Sequence, residues 1–157
     1  MIHRRFQIAA YLLAFTAMCD QMSKWWLLSR IMRPPHPVYI NAVFNLDLVM
    51  NKGVTFGLLS KFGEGAVPWI LVGIAVVIIF LLGRWLWRTH STLVAVGLGL
   101  IMGGAIGNVM DRIRYGAVVD FLDFHIDGWH WYSFNLADSA IVIGVALLLL
   151  DGLVRGR

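Results

Sequence analysis

Asp120 and Asp138 are the residues whose type and setting best suit chemistry in this chain. The stretch from Gly103 to Ser139 holds five of the nine acidic residues and lies between two segments apolar enough to span a bilayer. Carboxylates at such a boundary are costly where water is scarce, so they call for a functional explanation. If Val118–Ile126 is extended, Asp120 shares a face with Leu122, Phe124 and Ile126, and is expected to point toward apolar surroundings. Asp123, His125 and Asp127 then share the opposite face, where Asp123 and Asp127 are expected in water. Asp138 opens an apolar helix one turn after Asn135, so the two side chains project together. Two carboxylates brought to one place near lipid cannot both ionise easily, and the pKa of one rises. The ionised member can take a proton from water while the protonated member polarises a carbonyl, which is the chemistry of peptide hydrolysis. The plainer reading of Asp138 is a first-turn acid that caps its helix. Spacing alone does not separate the two.

Two further polar clusters interrupt apolar segments. Asn108, Asp111 and Arg112 stand at i, i+3 and i+4, which gives one helix face an amide, a carboxylate and a guanidinium. Asp111 reads as the structural partner of Arg112. Arg112 is free on this reading to hold a substrate carbonyl or a lipid headgroup, because its fork suits oxygen pairs. Asp20 and Lys24, four apart, suit a scaffold ion pair that lowers the cost of both charges. Ser23 beside Lys24 raises a serine–lysine protease, but adjacent residues on a helix diverge by about 100° and do not face each other. None of His3, His36, His90, His125 and His130 belongs to an HExxH motif, so no zinc protease and no metal site is assigned. Neither GxSxG nor a phosphate-cradling glycine loop occurs.

Four apolar segments must position these groups: about 6–28, 67–83, 92–110 and 136–150. Each approaches the length of about 20 residues that spans a bilayer. Gly99, Gly103 and Gly107 repeat every four residues on the third, a face of small residues that permits close helix contact. Between the first two segments the chain is too long for a simple loop. Pro34, Pro35 and Pro37 exclude helix there. From Ile40 to Met50 the sequence alternates, with Ile40, Ala42, Phe44, Leu46, Leu48 and Met50 on one face and Asn41, Asn45, Asp47 and Asn51 on the other. Asn51-Lys52-Gly53 supplies turn chemistry, and Thr55–Phe62 suits a short amphipathic helix on the interface. The expected architecture is an all-α polytopic membrane protein: one domain over 1–157, with four transmembrane helices and a small extracytoplasmic β platform over about 38–62.

Composition agrees with this architecture. The chain is 59% hydrophobic and 14% charged, whereas an average soluble domain is roughly a quarter charged. Its net charge of +4 comes from scattered residues with no basic stripe, so flanking of membrane helices explains it better than nucleic acid. Arg4, Arg5, Arg84, Arg88, Arg155 and Arg157 crowd the short segments on the side of both termini. That places the termini in the cytoplasm and the long loops outside. The seven tryptophans lie mostly near helix ends, as an interfacial belt requires. The lone Cys19 excludes an intrachain disulfide.

Four separated blocks resemble the lipoprotein signal peptidase (signal peptidase II) family. They are Asp20-Gln21-Met22-Ser23-Lys24; Asn51-Lys52-Gly53-Val54-Thr55-Phe56-Gly57; Gly107-Asn108-Val109-Met110-Asp111-Arg112 with Val118-Val119-Asp120-Phe121; and Phe134-Asn135-Leu136-Ala137-Asp138-Ser139. Their order against the apolar segments matches as well. Thr55, where Ala or Ser is more usual, and Tyr132-Ser133, where a proline is common, are the departures. The resemblance implies an aspartyl endopeptidase of the bacterial inner membrane, working at its periplasmic face without a cofactor. Its substrate would be a diacylglyceryl-modified prolipoprotein, reached through membrane lipid and cut just before the lipidated cysteine. Globomycin-type peptides would occupy the site. By matching position, Asp120 and Asp138 look like the catalytic pair. Asn51, Gly53, Asn108, Arg112 and Asn135 look like substrate-binding or pair-supporting residues, and Asp20, Lys24 and Asp111 like structural polar ones. A small proton-coupled transporter would instead need acids spread through the membrane depth, and a non-catalytic scaffold would tolerate loss of Asp120.

Overall fold

The computed structural model describes residues 2–53 and 65–155. The interfacial helix expected over Thr55–Phe62 lies outside the described residues. Four long helices are present: α1 (Ile2–Trp26), α2 (Val67–Arg88), α3 (Thr92–Tyr115) and α4 (Leu136–Arg155). By length and apolarity α2, α3 and α4 qualify as membrane spans. The helix α1 is as long, but it carries Arg4, Arg5, Asp20 and Lys24 and does not qualify on composition. All four helices differ in extent from the apolar runs that mark them, because backbone hydrogen bonding does not stop where the first charge appears. Thus α2 runs on to Arg88, α3 to Tyr115 and α4 to Arg155. At its C-terminal end α1 widens into a π-helical turn, Leu27–Ile31.

The helix α3 is the centre of the bundle. Gly99 and Gly103 bring it against α1, where an added Cβ would lie 2.8 Å from the Ala9 carbonyl oxygen and 2.7 Å from that of Leu13. A second small-residue face turns toward α4, with Gly97 against Gly144 and Gly104 against the Ala137 carbonyl. The sequence reading recognised the first face and missed the second, because Gly97 and Gly104 fall outside the four-residue repeat. Paired positions increase together along α1 and α3, and run oppositely along α3 and α4. The helices α1 and α3 are therefore parallel, with α4 antiparallel to both.

The platform is larger than the 38–62 segment. Its antiparallel sheet has the order β1 (Val38–Asn41), β2 (Phe44–Asn51), β3 (Val118–Ile126), β4 (Trp129–His130), so half of it comes from beyond α3. Asp127 and Gly128, both with positive φ, make the two-residue turn between β3 and β4. Asp-Gly is favoured where both central residues need φ > 0. A β-bulge alters the simple alternation read for β2. Leu46 pairs with Leu122 and Val49 with Asp120, so three steps on β2 match two on β3. The extra residue carries Asn51 off the face of Asn45 and onto that of Leu46 and Asp120.

Replacing Gly99 by Leu should destabilise the protein by roughly 1–3 kcal/mol or more, because the new atoms meet backbone rather than a movable side chain. Gly73→Leu, where no atom lies within 4 Å, should be near neutral. Denaturation in detergent micelles measures both, and equal effects would refute the packing argument.

Candidate active site

Lys24, fully enclosed by protein, spends its three donor hydrogens on three acceptors: Asp111 Oδ2 at 2.7 Å, Asp20 Oδ2 at 2.8 Å and Asn108 Oδ1 at 3.3 Å. The Asp20–Lys24 pair is as expected. Asp111 is not: it pairs with Lys24 on another helix rather than with its neighbour Arg112. Adjacent residues on a helix point apart, and the close α1–α3 contact puts Lys24 in reach instead. Both acids also hold backbone and amide groups. Asp20 Oδ1 accepts the Ala137 N–H at 3.0 Å, and Asp111 Oδ2 accepts the Val119 N–H at 3.1 Å. Gln21, to which the sequence reading gave no role, donates to Asp111 Oδ1 at 2.8 Å and to the Gly107 carbonyl at 3.2 Å.

Val119 immediately precedes Asp120, and Ala137 immediately precedes Asp138. The two acids are thus fastened, one residue away, to the same buried ion cluster. Between them lies Asn135, fully buried. Its Nδ2 donates to Asp120 Oδ1 at 2.7 Å and to Asn108 Oδ1 at 3.1 Å. Asn135 and Asp138 also cap α4 reciprocally: the Asp138 N–H donates to Asn135 Oδ1 at 3.0 Å, and the Asn135 N–H donates to Asp138 Oδ2 at 3.3 Å. The capping reading of Asp138 is therefore correct, yet it occupies only one oxygen. Asp138 Oδ1 accepts from Asn108 Nδ2 at 2.8 Å.

Asp120 is 1% exposed, and its setting is not the apolar one expected. Asn51, brought to this face by the bulge, donates Nδ2 to Asp120 Oδ2 at 2.9 Å. The orientation of that amide is set by the Gly53 N–H, which donates to Asn51 Oδ1 at 2.9 Å. Gly53 has φ +74°, and a Cβ there would strike Leu71, so this position requires glycine. Burial pushes the Asp120 carboxyl up to about 6; the Asn51 bond opposes the rise, the charge of Asp138 adds to it, and Asn135 opposes it. Arg112 donates Nη1 to the Asn108 carbonyl at 3.4 Å, while its buried Nε has no partner among the described residues.

Asp138, in contrast, is half-buried and borders a groove of about 510 Å³ whose other walls include Trp131, Tyr132, Phe134, Val142 and Ile143. Asp127 is exposed, as expected, but Asp123 is buried and bonded to His130 at 2.9 Å. The expected polar face of β3 is covered there by β2 residues, since Asn45 pairs with Asp123 across the sheet.

A half-buried acid and a buried acid of raised pKa are joined through one asparagine beside an apolar groove, an arrangement that fits a membrane protease of the aspartic class. The signal peptidase (SPase) II family matches residues 12–154. A lipoprotein signal peptidase of Methylobacterium sp. (strain 4-46) is 45% identical over 139 residues, 88% of this chain and 84% of the relative. One of Burkholderia multivorans is 51% identical over 122 residues, 75% of this chain and 71% of the relative. A bacterial membrane enzyme solved by the in meso method at 1.9 Å superposes with TM-score 0.78 at 27% identity, covering 91% of this chain and 90% of the other. The chain belongs to the signal peptidase II family; it is a multi-pass membrane protease that removes signal peptides from prolipoproteins.

Lys24→Met should cost about 3–5 kcal/mol, because two buried carboxylates lose their common cation. Chemical denaturation in micelles measures it. A loss under ~1 kcal/mol would mean that the surrounding amides suffice.

Proposed function

We propose that Asp120 and Asp138 are the catalytic pair and act on diacylglyceryl-modified prolipoproteins, cutting before the lipidated cysteine. The observation that carries this reading is the attachment of both acids to Asn135, with Asp120 buried and Asp138 open to the groove. Asp120 holds the shared proton, since desolvation favours its neutral form. Asp138 is the ionised member. It removes a proton from a water molecule as that water attacks the scissile carbonyl, and Asp120 gives its proton to the carbonyl oxygen. As the tetrahedral intermediate collapses, Asp138 gives its proton to the leaving nitrogen and a hydroxyl of the intermediate returns one to Asp120, which restores both acids with no metal or organic group taking part. Asn51, Asn108 and Asn135 orient the carboxylates, Gly53 orients Asn51, and Arg112, within electrostatic reach of both acids, holds a substrate carbonyl with its guanidinium.

The helix α1 is the fourth span. It lies parallel to α3 over the same depth, from Ala9 beside Gly99 to Asp20 beside Gly107, and its two interior charges compensate each other. The ends opposite the site gather Arg5 against the Thr89 carbonyl, and Asp151 against Ser91 and Arg155. With Arg4 and Arg88 nearby, that end is the cytoplasmic one, so the site faces the periplasm of an inner-membrane protein. The apolar groove along α4 admits a lipid chain laterally from the bilayer, and globomycin-type peptides compete there. A proton-transport reading is disfavoured because Asp20, Asp111, Asp120 and Asp138 gather at one end of the bundle.

Asp120→Asn and Asp138→Asn should each lower cleavage of a diacylglyceryl precursor by at least about three orders of magnitude, with folded protein retained. Full activity in either variant rejects the pair. Asn51→Ala removes a donor that favours the Asp120 carboxylate, so the pKa of Asp120 rises further. The alkaline limb of kcat/KM, which reports loss of the shared proton, should move to higher pH. A shift to lower pH would reverse the assigned proton positions.

A further inference from the structure

We propose that the β3–β4 hairpin carries a binding site for a borderline divalent transition ion of the zinc class, formed by Asp123, His125 and His130. The backbone makes the arrangement. Asp123 and His125 are two apart on β3 and share one face, and His130 is the cross-strand partner of His125. The two-residue Asp127-Gly128 turn sets this register. One ligand atom from each of the three side chains lies within 4.8 Å of the others.

The separations suit one small ion. His130 Nδ1 is 2.9 Å from Asp123 Oδ2, and His125 Nδ1 is 3.9 Å from the same oxygen. Bonds near 2.1 Å at tetrahedral angles put ligand atoms about 3.4 Å apart, a value between those two. The imidazole rings already stack, with centroids 5.0 Å apart at 17°, so both nitrogens can turn inward without moving the strands. Two imidazoles and a carboxylate are a donor set for zinc, cobalt, nickel or copper rather than for magnesium or calcium, which take oxygen.

A second observation concerns the floor of the cluster. Asn45, 4% exposed, brings its amide to 3.4 Å from His125 Nδ1, while its Oδ1 is buried with no hydrogen-bond partner among the described residues. An unsatisfied buried carbonyl oxygen is costly, and its presence marks this side of β2 as incompletely paired. Asp123, buried beside Asn45, gains a full counter-charge from the ion in place of a hydrogen bond to a partly exposed histidine. None of these residues belongs to the proposed catalytic pair, and the ion would act as a clip that ties the short edge strand β4 to β3.

Titration of untagged full-length protein in detergent with Co²⁺ tests the site by visible absorption. One saturable equivalent with the intense bands of low-coordinate cobalt is expected, displaced by Zn²⁺ and not by Mg²⁺. His130→Ala, at an exposed position, should weaken binding by about a hundredfold or more, the upper end of what even an outer partner of a metal ligand costs. His36→Ala should leave it unchanged. Absence of a saturable spectrum, or binding equally strong in His130→Ala, overturns the proposal.

Discussion

The buried ammonium of Lys24 is the constraint on which the rest of the site depends. A single cation between two carboxylates leaves one negative charge in excess, which an apolar interior resists. The excess is met by directed donors: the Ala137 N–H on Asp20, and the Val119 N–H with the Gln21 amide on Asp111. Those donors are not interchangeable with water. The two backbone donors lie at the start of α4 and of β3, one residue before each of the two outer aspartates. Satisfying the charge therefore fixes the two backbone segments that carry Asp120 and Asp138, and Asp20 on the first helix holds Ala137, 117 positions later.

The same cluster separates acids held by a cation from acids held by amides. Asp20 and Asp111 each face a lysine at ion-pair distance. Asp120 and Asp138 face amides, which hold a carboxylate in place without neutralising it. Amides of Asn51, Asn108 and Asn135 donate to either protonation state's acceptor oxygens, so they allow a proton to move while keeping geometry. Burial then distinguishes the two acids. Asp120, enclosed, is pushed up to about 6, and Asp138 borders the groove. Two side chains of the same chemical type thus meet opposite surroundings.

Much of this was legible in the residues. Four apolar runs, the glycine repeat of α3, the Asp20–Lys24 spacing, the Asn135–Asp138 helix start and the extended character of Val118–Ile126 all follow from local periodicity, and local periodicity survives folding where one face is buried. Among the described residues, the motif blocks named each side-chain amide that touches Asp120 or Asp138. The π-helical turn Leu27–Ile31 after α1 was not legible, because nothing in its residue pattern departs from that of the α-helix it continues.

What the sequence by itself determined is the set of elements and the local helix start that joins Asn135 to Asp138, since helix and strand periods and short-range caps depend on neighbours along the chain. Only the tertiary structure decided the partners. Asp111 turned to Lys24 rather than Arg112 because glycines let α1 approach α3. Asn51 reached Asp120 because one extra residue in β2 reversed the alternation. Asp123 became buried because β2 covers that part of β3. Each is a contact between distant segments, where a shift of one residue or a few ångströms changes which polar group lies opposite, and no local pattern encodes that distance.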